Sequence, residues 1–307
     1  MPNAVETMTS PRSALPNSYT NVAAREIDLV NRFGSNIEAF RNVAGIARPI
    51  KKQNGTRLAS YITDVTLESG SVDPGCVIPY SKTSITEVLH ADVSVEKYAK
   101  AVTIEEVKDY GAAVAIQKSD DAFLVKLQKL VTGKFYTALL DDTYAITGTY
   151  STFPMAVSMA IGAVKNKFQS IDKDMTDVVV FVNTLDAYEY MGGYPQQAMA
   201  TVLGMEYLQN YLGAKVMFLS DRIPSGKVVA TPVENLDLYY VDPADSEYAA
   251  LGLEYRTDGD TNLIGFHAQG NYSTAVGESF ALLGMTLWFE IADGVAINTI
   301  SANPSQP

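Results

Sequence analysis

The sequence predicts an α+β fold, and three patterns along the chain indicate it. Residues 85–101 alternate between apolar and polar side chains over an unusually long stretch, as a half-exposed strand does. After Ser119, apolar side chains recur at spacings of three and four, which predicts a long amphipathic helix. The apolar run 178–182 is followed by helical sequence and by a second apolar strand at 215–219, which predicts a parallel pair joined by a helical crossover.

The composition argues against several classes of protein. The 307 residues are 47% hydrophobic and 19% charged, which excludes an intrinsically disordered chain. Lys and Arg number 23 against 35 Asp and Glu, which argues against binding nucleic acid by bulk attraction. The single cysteine, Cys76, cannot form an internal disulfide or a multi-cysteine zinc site. No signal peptide or membrane span is indicated, so we expect a soluble cytoplasmic protein without a membrane partner.

The chain is expected to begin with an extended arm. Residues 1 to about 23 are polar and proline-containing, and such an arm becomes ordered only by lying on another surface. Apolar residues spaced by three then predict a short helix over 23–33, ended by Gly34. A second short helix is expected over 36–43.

A long β-hairpin is predicted next. A loosely alternating strand over 56–66 leads into a turn-rich segment over 68–84, and the strand over 85–101 follows. At about 3.3 Å per residue the second strand would span roughly 55 Å, whereas an ordinary strand has about five or six residues. Because an isolated two-stranded ribbon is marginal in water, this hairpin is expected to need a partner surface.

Two helices are predicted after the hairpin. Thr103 and Glu106 form a capping box that starts a short helix, and Gly111 ends it. Ser119 is expected to cap a long helix over 119–140.

The first turn of this long helix carries Asp120 and Asp121, which would match the positive end of the helix dipole. Leu127 and Leu130 belong to its apolar stripe, so we predict that both side chains are buried.

The second half of the chain predicts an α/β arrangement. Pro154 starts a helix with one apolar side. Helical sequence over 185–212 is interrupted at 192–195, where Gly-Gly-Tyr-Pro favours a loop, and it ends at Gly213. Further strands are predicted at 228–232, 236–241, 263–267, 279–290 and 295–300, with Asp293 and Gly294 as a hairpin turn between the last two.

No catalytic, cofactor or metal site is predicted. The two histidines, His90 and His267, lack a triad, a nucleophile elbow or a phosphate loop, and Cys76 has no nearby base. Paired carboxylates such as Asp120 and Asp121 are explained by capping at helix ends. Residues 258–260 look like part of a calcium loop but lack its bidentate Glu, so a turn is expected. The distinctive features are therefore architectural.

Several segments follow one another in a characteristic order. They are an extended loop at 51–84, the end of the long strand at 97–102, the short helix at 103–109, the long helix at 119–140, the strand at 178–183 and a closing hairpin at 289–295. In this order, over residues 25–300, the chain resembles the major capsid proteins of tailed double-stranded DNA bacteriophages, which have the Hong Kong 97-type capsid fold. The family's long N-terminal scaffolding segment has no counterpart here, so a scaffold would be a separate protein or absent.

The resemblance implies a domain organisation. An N-terminal arm over 1–34 would precede the first part of a peripheral domain over 35–150, which would hold the extended loop and the long helix as its spine helix. An α/β axial domain would cover 151–262. The C-terminal strands over 263–307 would return to the peripheral and axial core.

The resemblance also implies a structural role without catalysis or a cofactor. Copies would form hexamers and pentamers that close into an icosahedral head around double-stranded DNA, without sequence-specific binding. Separate scaffold, portal and decoration proteins would be further partners, and assembly would take place in the host cytoplasm. The acidic charge fits this role, because a shell that does not grip DNA lets it enter and leave.

Two sets of residues are expected to contact neighbouring subunits. In the extended loop, backbone pairing and polar contacts would involve Arg57, Tyr61, Glu68 and Asp73. In the axial domain, a loop near the capsomer axis would contain Gly192, Gly193, Tyr194 and Pro195. The alternatives are a flap packed on its own core for the extended loop and an ordinary solvent-facing connection for the axial loop.

Two other functions stay open at this point. A cellular nanocompartment shell, similar to encapsulins, would have the same fold and enclose protein cargo. A soluble α/β enzyme would need a site that two histidines and one cysteine do not indicate. Uniform shells or rings under negative stain would favour a shell protein, and DNA inside purified particles would distinguish a virus from a compartment.

Overall fold

The computed structural model describes residues 17–45, 49–141, 143–175, 177–192, 199–202, 204–257 and 262–301. Its α-helices are α1 (Asn17–Ala44), α2 (Ile104–Tyr110), α3 (Ala112–Leu139), α4 (Phe153–Ser170), α5 (Thr184–Met191) and α6 (Ser246–Ala249). Its strands are β1 (Ile50–Lys51), β2 (Thr56–Thr66), β3 (Lys82–Val93), β4 (Glu96–Thr103), β5 (Ile146–Tyr150), β6 (Val178–Val182), β7 (Ala200–Val202), β8 (Met205–Tyr211), β9 (Ala214–Leu219), β10 (Lys227–Pro232), β11 (Leu236–Tyr240), β12 (Ile264–Asn271), β13 (Val276–Leu283), β14 (Met285–Phe289) and β15 (Ala296–Ile300).

The chain divides into two compact units. The first comprises the described residues of Met1–Gly34, Glu96–Leu124 and Pro243–Leu283, and its antiparallel sheet has the order β12-β13-β4. Between β4 and α3, the predicted capping box of Thr103 and Glu106 opens α2. Gly111 closes that helix with a φ of +82°, a backbone conformation that side chains other than glycine rarely adopt. Both predictions for this short helix are confirmed.

A buried cluster of charges joins three elements of the first unit. The Asp120 carboxylate on α3 accepts hydrogen bonds from Arg25 on α1 and from Lys100 on β4. Arg25 also donates to the Ser279 hydroxyl on β13, at 2.9 Å. Burial disfavours the charged form of Asp120, but the bonds from Arg25 and Lys100 outweigh it and hold the pKa of the carboxyl below its ordinary value. Asp120 therefore serves tertiary pairing and does not complement a helix terminus.

The second unit is built on a seven-stranded sheet of order β5-β15-β10-β6-β9-β8-β7. All five side chains of β6 are buried, and β6 runs parallel to β9, as the sequence predicts. Pro154 lies in the first turn of α4, which also confirms a prediction. Helix α4 buries one side against the sheet, through Phe153, Ala156, Val157, Ala160, Ile161, Val164 and Phe168.

Helix α1 differs from the prediction at both of its expected ends. It begins at Asn17, so the prediction of extended backbone to about residue 23 is wrong for 17–23. It also continues through Gly34, where a break between two short helices was expected. The reason is that the apolar stripe stays in phase across the glycine, as the buried side chains of Phe33 and Ile37 show. The burial of that stripe outweighs the modest cost of one glycine in a helix interior.

The long strand predicted over 85–101 is two strands. β3 ends at Val93 and pairs with β2, whereas β4 begins at Glu96 and pairs with β13. The alternation of apolar residues continues in phase from Val93 to Val95, so the periodicity does not reveal the break. The strand therefore changes partners in mid-sequence, which only the tertiary structure shows.

The long helix α3 begins earlier than predicted. It starts at Ala112, so Ser119 lies inside the helix and does not cap it. Leu127 is 1% exposed, in agreement with the prediction, but the prediction for Leu130 is wrong because that side chain is 41% exposed. Leu130 lies at the margin of the stripe, where a spacing of three carries a side chain away from the buried side.

Residues 200–202 and 205–211 form strands β7 and β8, although the sequence predicts helix there. β8 and β9 form an antiparallel hairpin in which Tyr211 pairs with Ala214. The two residues between them, Leu212 and Gly213, both have positive φ, at +50° and +89°, which is the requirement of a tight hairpin turn. A helix that ended at Gly213 and a hairpin that turned there were both compatible with the same glycine.

The last strands also depart from the prediction. The stretch predicted as one strand over 279–290 is divided at Gly284, which separates β13 from β14. A Cβ at Gly284 would lie only 3.0 Å from the Cβ of Val241. Asp293 and Gly294 do not form a hairpin turn, because β14 pairs with β11 while β15 lies between β5 and β10. They belong instead to a short 3-10 helix that links two sheets.

Candidate assembly surface

Strands β2 and β3 form a separate two-stranded ribbon in the second unit. Their antiparallel register runs from Thr56 opposite Val93 to Thr66 opposite Lys82, with a bulge between Arg57 and Ala59. Within the described residues, no third strand pairs with either of them. Both outer edges of the ribbon therefore present backbone N–H and C=O groups that are not used in the sheet.

The ribbon is fixed to its unit at one end only. Leu58 and Val93 are buried with Val241, and this small cluster forms the base of the hairpin. Next to the base, β1 pairs in parallel with β11, and the Lys51 ammonium lies 2.8 Å from the Asp242 carboxylate. These contacts set where the ribbon leaves the unit.

Over residues 63–87, the outer part of the ribbon and its turn have almost no buried side chain. Every described side chain from residue 63 to residue 87 is exposed except that of Val72, which is half-buried. Several of them are large and apolar: Leu67 (79% exposed), Val77 (87%), Ile78 (71%) and Tyr80 (93%). Leu67 and Tyr80 are not among the contact residues that the sequence predicts for this loop. An apolar group of this kind, surrounded by water, is typical of a surface that another molecule covers.

The four predicted contact residues of the extended loop all lie on this ribbon. Arg57, near the base, has its Nε 3.8 Å from an Asp92 carboxylate oxygen, and both side chains are mainly exposed. Tyr61 is 62% exposed. In the turn, the Glu68 N–H donates to the Ser81 hydroxyl at 3.3 Å.

At the end of the turn, the carbonyl of Asp73 accepts from the Cys76 N–H at 3.0 Å. Gly75, between them, has a φ of +87°, so the tight turn needs a glycine at this position. The structure thus places the predicted residues along one projecting element.

The predicted axial loop is described only in part. Gly192 ends α5, and its N–H donates to the Tyr188 carbonyl at 2.8 Å. Gly193, Tyr194 and Pro195 lie outside the described residues. The position of this loop in an assembly stays a prediction.

The described residues show few groups that are suited to chemistry. They contain no group of three or more His, Cys, Asp or Glu side chains placed to hold a metal ion. Within the same part of the chain, no helix combines the length and the apolar character needed to cross a bilayer. His267 Nδ1 lies 3.8 Å from Glu26, and Cys76 is exposed at the tip of the hairpin. The side chain of His90 and residues 258–260 lie outside the described part.

Comparison with known proteins gives matches among solved structures. No family model and no curated protein sequence matches this chain. The cyanophage A-1(L) capsid asymmetric unit matches with a TM-score of 0.53 and 12% identity, over 85% of this chain and 92% of that chain. A structure of Mycobacterium phage Patience matches with a TM-score of 0.50 and 12% identity, over 90% and 88%. The holo-SrpI encapsulin complex from Synechococcus elongatus PCC 7942 has a TM-score of 0.48 and 11% identity, over 100% and 96%.

At 12% identity, the cyanophage and mycobacteriophage matches define the architecture and nothing finer. They cover most of both chains, so the likeness concerns the whole arrangement of elements. The projecting hairpin, the long helix α3 and the α/β region around β6 occur in the order that the sequence resemblance implies. The chain therefore has the Hong Kong 97-type capsid fold.

Proposed function

We propose that this protein is the major capsid protein of a tailed bacteriophage. Copies assemble through hexamers and pentamers into an icosahedral head that encloses double-stranded DNA, and the protein acts mechanically, without catalysis. Its location is the virion capsid, after assembly in the host cytoplasm. The fold supports this proposal, and the observation that carries it is the ribbon of β2 and β3, which projects from its unit without a covering partner.

The ribbon suits a role between subunits for two physical reasons. A two-stranded ribbon with exposed faces is marginal by itself, so a surface outside the subunit is needed to hold it. Its tip also exposes Leu67, Val77, Ile78 and Tyr80, whose transfer out of water would stabilise a contact. Arg57, Tyr61, Glu68 and Asp73 would add polar contacts along the same element.

A closed shell multiplies the effect of such a contact. Each copy both places its hairpin on a neighbour and receives one, so a weak pairwise contact recurs around every symmetric ring. The loop that contains Gly192, Gly193, Tyr194 and Pro195 would meet its symmetry mates near the capsomer axis. Scaffold, portal and decoration proteins would be separate partners.

Replacing residues 67–81 by a short Gly-Ser turn tests this function. The segment lies between β2 and β3, so the variant keeps both strands and the base at Leu58. We expect a folded subunit with near-native circular dichroism that fails to form closed particles under negative stain. The matched control is Cys76→Ser, which changes one exposed tip residue and keeps the length and apolar groups of the turn.

Three results would contradict parts of the proposal. Particles of normal size from the variant would overturn the role of the hairpin in assembly. A lower melting temperature of the unassembled subunit would show that the segment is a flap packed on its own core. Particles from the unaltered protein that hold protein cargo and no DNA would identify a nanocompartment shell.

A further inference from the structure

One side of α3 in the second unit carries lysines and no carboxylate from the helix itself. The chain has 35 Asp and Glu against 23 Lys and Arg, yet residues 122–140 contain three lysines and neither acid. Lys126 and Lys129 are exposed, on the side of the helix opposite the buried Leu127 and Val131. This side is therefore locally basic in an acidic protein.

Arg222 adds a guanidinium to the same side. Gly133 lies one turn beyond Lys129, and a Cβ at Gly133 would be only 2.6 Å from Arg222 Nη1. Any other residue at this position would have to displace the guanidinium. The guanidinium of Arg222 thus lies directly against this turn of α3. We call Lys126, Lys129 and Arg222 the basic stripe.

The described lysines divide into those with a carboxylate partner and those without one, and the stripe gathers cations of the second kind. Five lysines each form an ion pair with a carboxylate: Lys51, Lys100, Lys167, Lys173 and Lys215. In the part of the chain that the structure describes, no carboxylate pairs with Lys126, Lys129 or Arg222. Single exposed lysines without an ion pair are common in this chain, so it is the gathering of three unpaired cations on one side of α3 that indicates an anion from outside the subunit.

We propose that the basic stripe is a contact site for the phosphate backbone of duplex DNA. This inference rests on the proposed function, in which the shell encloses DNA. From Lys126 to Gly133 the helix rises about 10 Å, and duplex DNA carries a phosphate charge about every 1.7 Å of its axis. A straight row of cations therefore faces a row of phosphates. Lysine ammonium groups act as point charges, so the site holds the backbone and does not read the sequence.

The affinity of the stripe for DNA is low, because the protein as a whole has a net charge of -12. At physiological ionic strength, charges are screened over about 8 Å, so the stripe attracts DNA only when the duplex already lies against it. Farther away, the acidic surface repels the duplex. Such a contact aligns DNA along the shell and releases it when salt or motion separates the two surfaces.

A salt titration of duplex binding tests the site. The full-length protein is mixed with a short fluorescent duplex of mixed sequence, and anisotropy is followed as NaCl increases. We compare the unaltered protein, the double variant Lys126→Gln with Lys129→Gln, and the control Lys108→Gln with Lys165→Gln. The control residues are exposed lysines on α2 and α4, so both double variants change the net charge equally.

The slope of log K against log salt is negative for a phosphate contact. We expect its magnitude to decrease by about 0.9 for each stripe lysine that is removed, or by about 1.8 for the pair. The control should keep the slope of the unaltered protein. Equal slopes in both variants, or no duplex binding by the unaltered protein at low salt, would overturn the site. A stripe variant that binds the duplex normally but no longer forms particles would place a second copy on the stripe, which also overturns it. If the unaltered protein forms no particles, the proposed function fails, and the duplex titration still decides the stripe.

Discussion

Strand β6 and the ribbon of β2 and β3 belong to the same unit, yet they are held in opposite ways. Every side chain of β6 is buried, and each such apolar side chain contributes roughly 1.5 to 3 kcal/mol by leaving water. Over residues 63–87, the ribbon has backbone pairing but almost no buried side chain. A two-stranded ribbon can therefore form within one subunit, while the free energy that fixes its position comes from contacts outside that subunit.

The largest effect is expected in the core around β6. Phe181 is fully buried, stacks on Phe218 with ring centroids 5.4 Å apart, and contacts Phe135 edge-on at 5.3 Å. Phe181→Ala should lower the free energy of unfolding of the unassembled subunit by about 3 to 5 kcal/mol, measured by urea titration. Tyr61→Ala on the ribbon should change it by less than about 0.5 kcal/mol. Comparable losses in the two variants would show that the ribbon packs on its own subunit.

A second pair of variants tests the same contrast between buried and exposed side chains within one helix. Leu127→Ala should cost about 2 to 5 kcal/mol, because its side chain is fully buried on α3. Leu130→Ala, three residues on and 41% exposed, should cost less than about 1 kcal/mol. Urea titration of both variants measures the difference, and equal costs would mean that the exposed side of α3 is covered in the free subunit.

A buried and an exposed ion pair should differ in the same way in their contribution to stability. Asp120→Asn keeps the shape of the side chain but leaves Arg25 and Lys100 without their carboxylate, so a loss of about 3 kcal/mol is expected at neutral pH. Asp92→Asn on the ribbon breaks an exposed pair with Arg57 and should cost less than about 1 kcal/mol.

The pH dependence of the Asp120 effect has a definite sign. The folded protein holds the pKa of Asp120 below its ordinary value, so the stabilisation is complete above the unfolded pKa of about 3.9. It is lost as the pH falls through the lower, folded pKa. The difference in unfolding free energy between the unaltered protein and Asp120→Asn should therefore be constant near neutral pH and shrink below about pH 4. A difference that grows on acidification would contradict the assignment of Asp120 as a buried carboxylate.

The sequence alone determined those features whose causes are local or periodic. The capping box of Thr103 and Glu106 needs only four consecutive residues. The uninterrupted apolar run of β6 indicates burial on both faces without reference to its neighbours. The order of such elements also carried the resemblance to the capsid fold, because order along the chain is itself a sequence property.

Which partner each segment meets depends on contacts in the folded chain. Gly213 could end a helix or turn a hairpin, and the pairing of β8 with β9 selects the hairpin. The apolar alternation passes through residues 94 and 95 unchanged, although β3 and β4 belong to different sheets. Arg222 reaches Gly133 from a loop 89 positions away in the chain, so no local pattern reveals the basic stripe. Periodicity reports which side of an element avoids water, whereas the identity of the surface that covers it depends on contacts between residues distant in sequence.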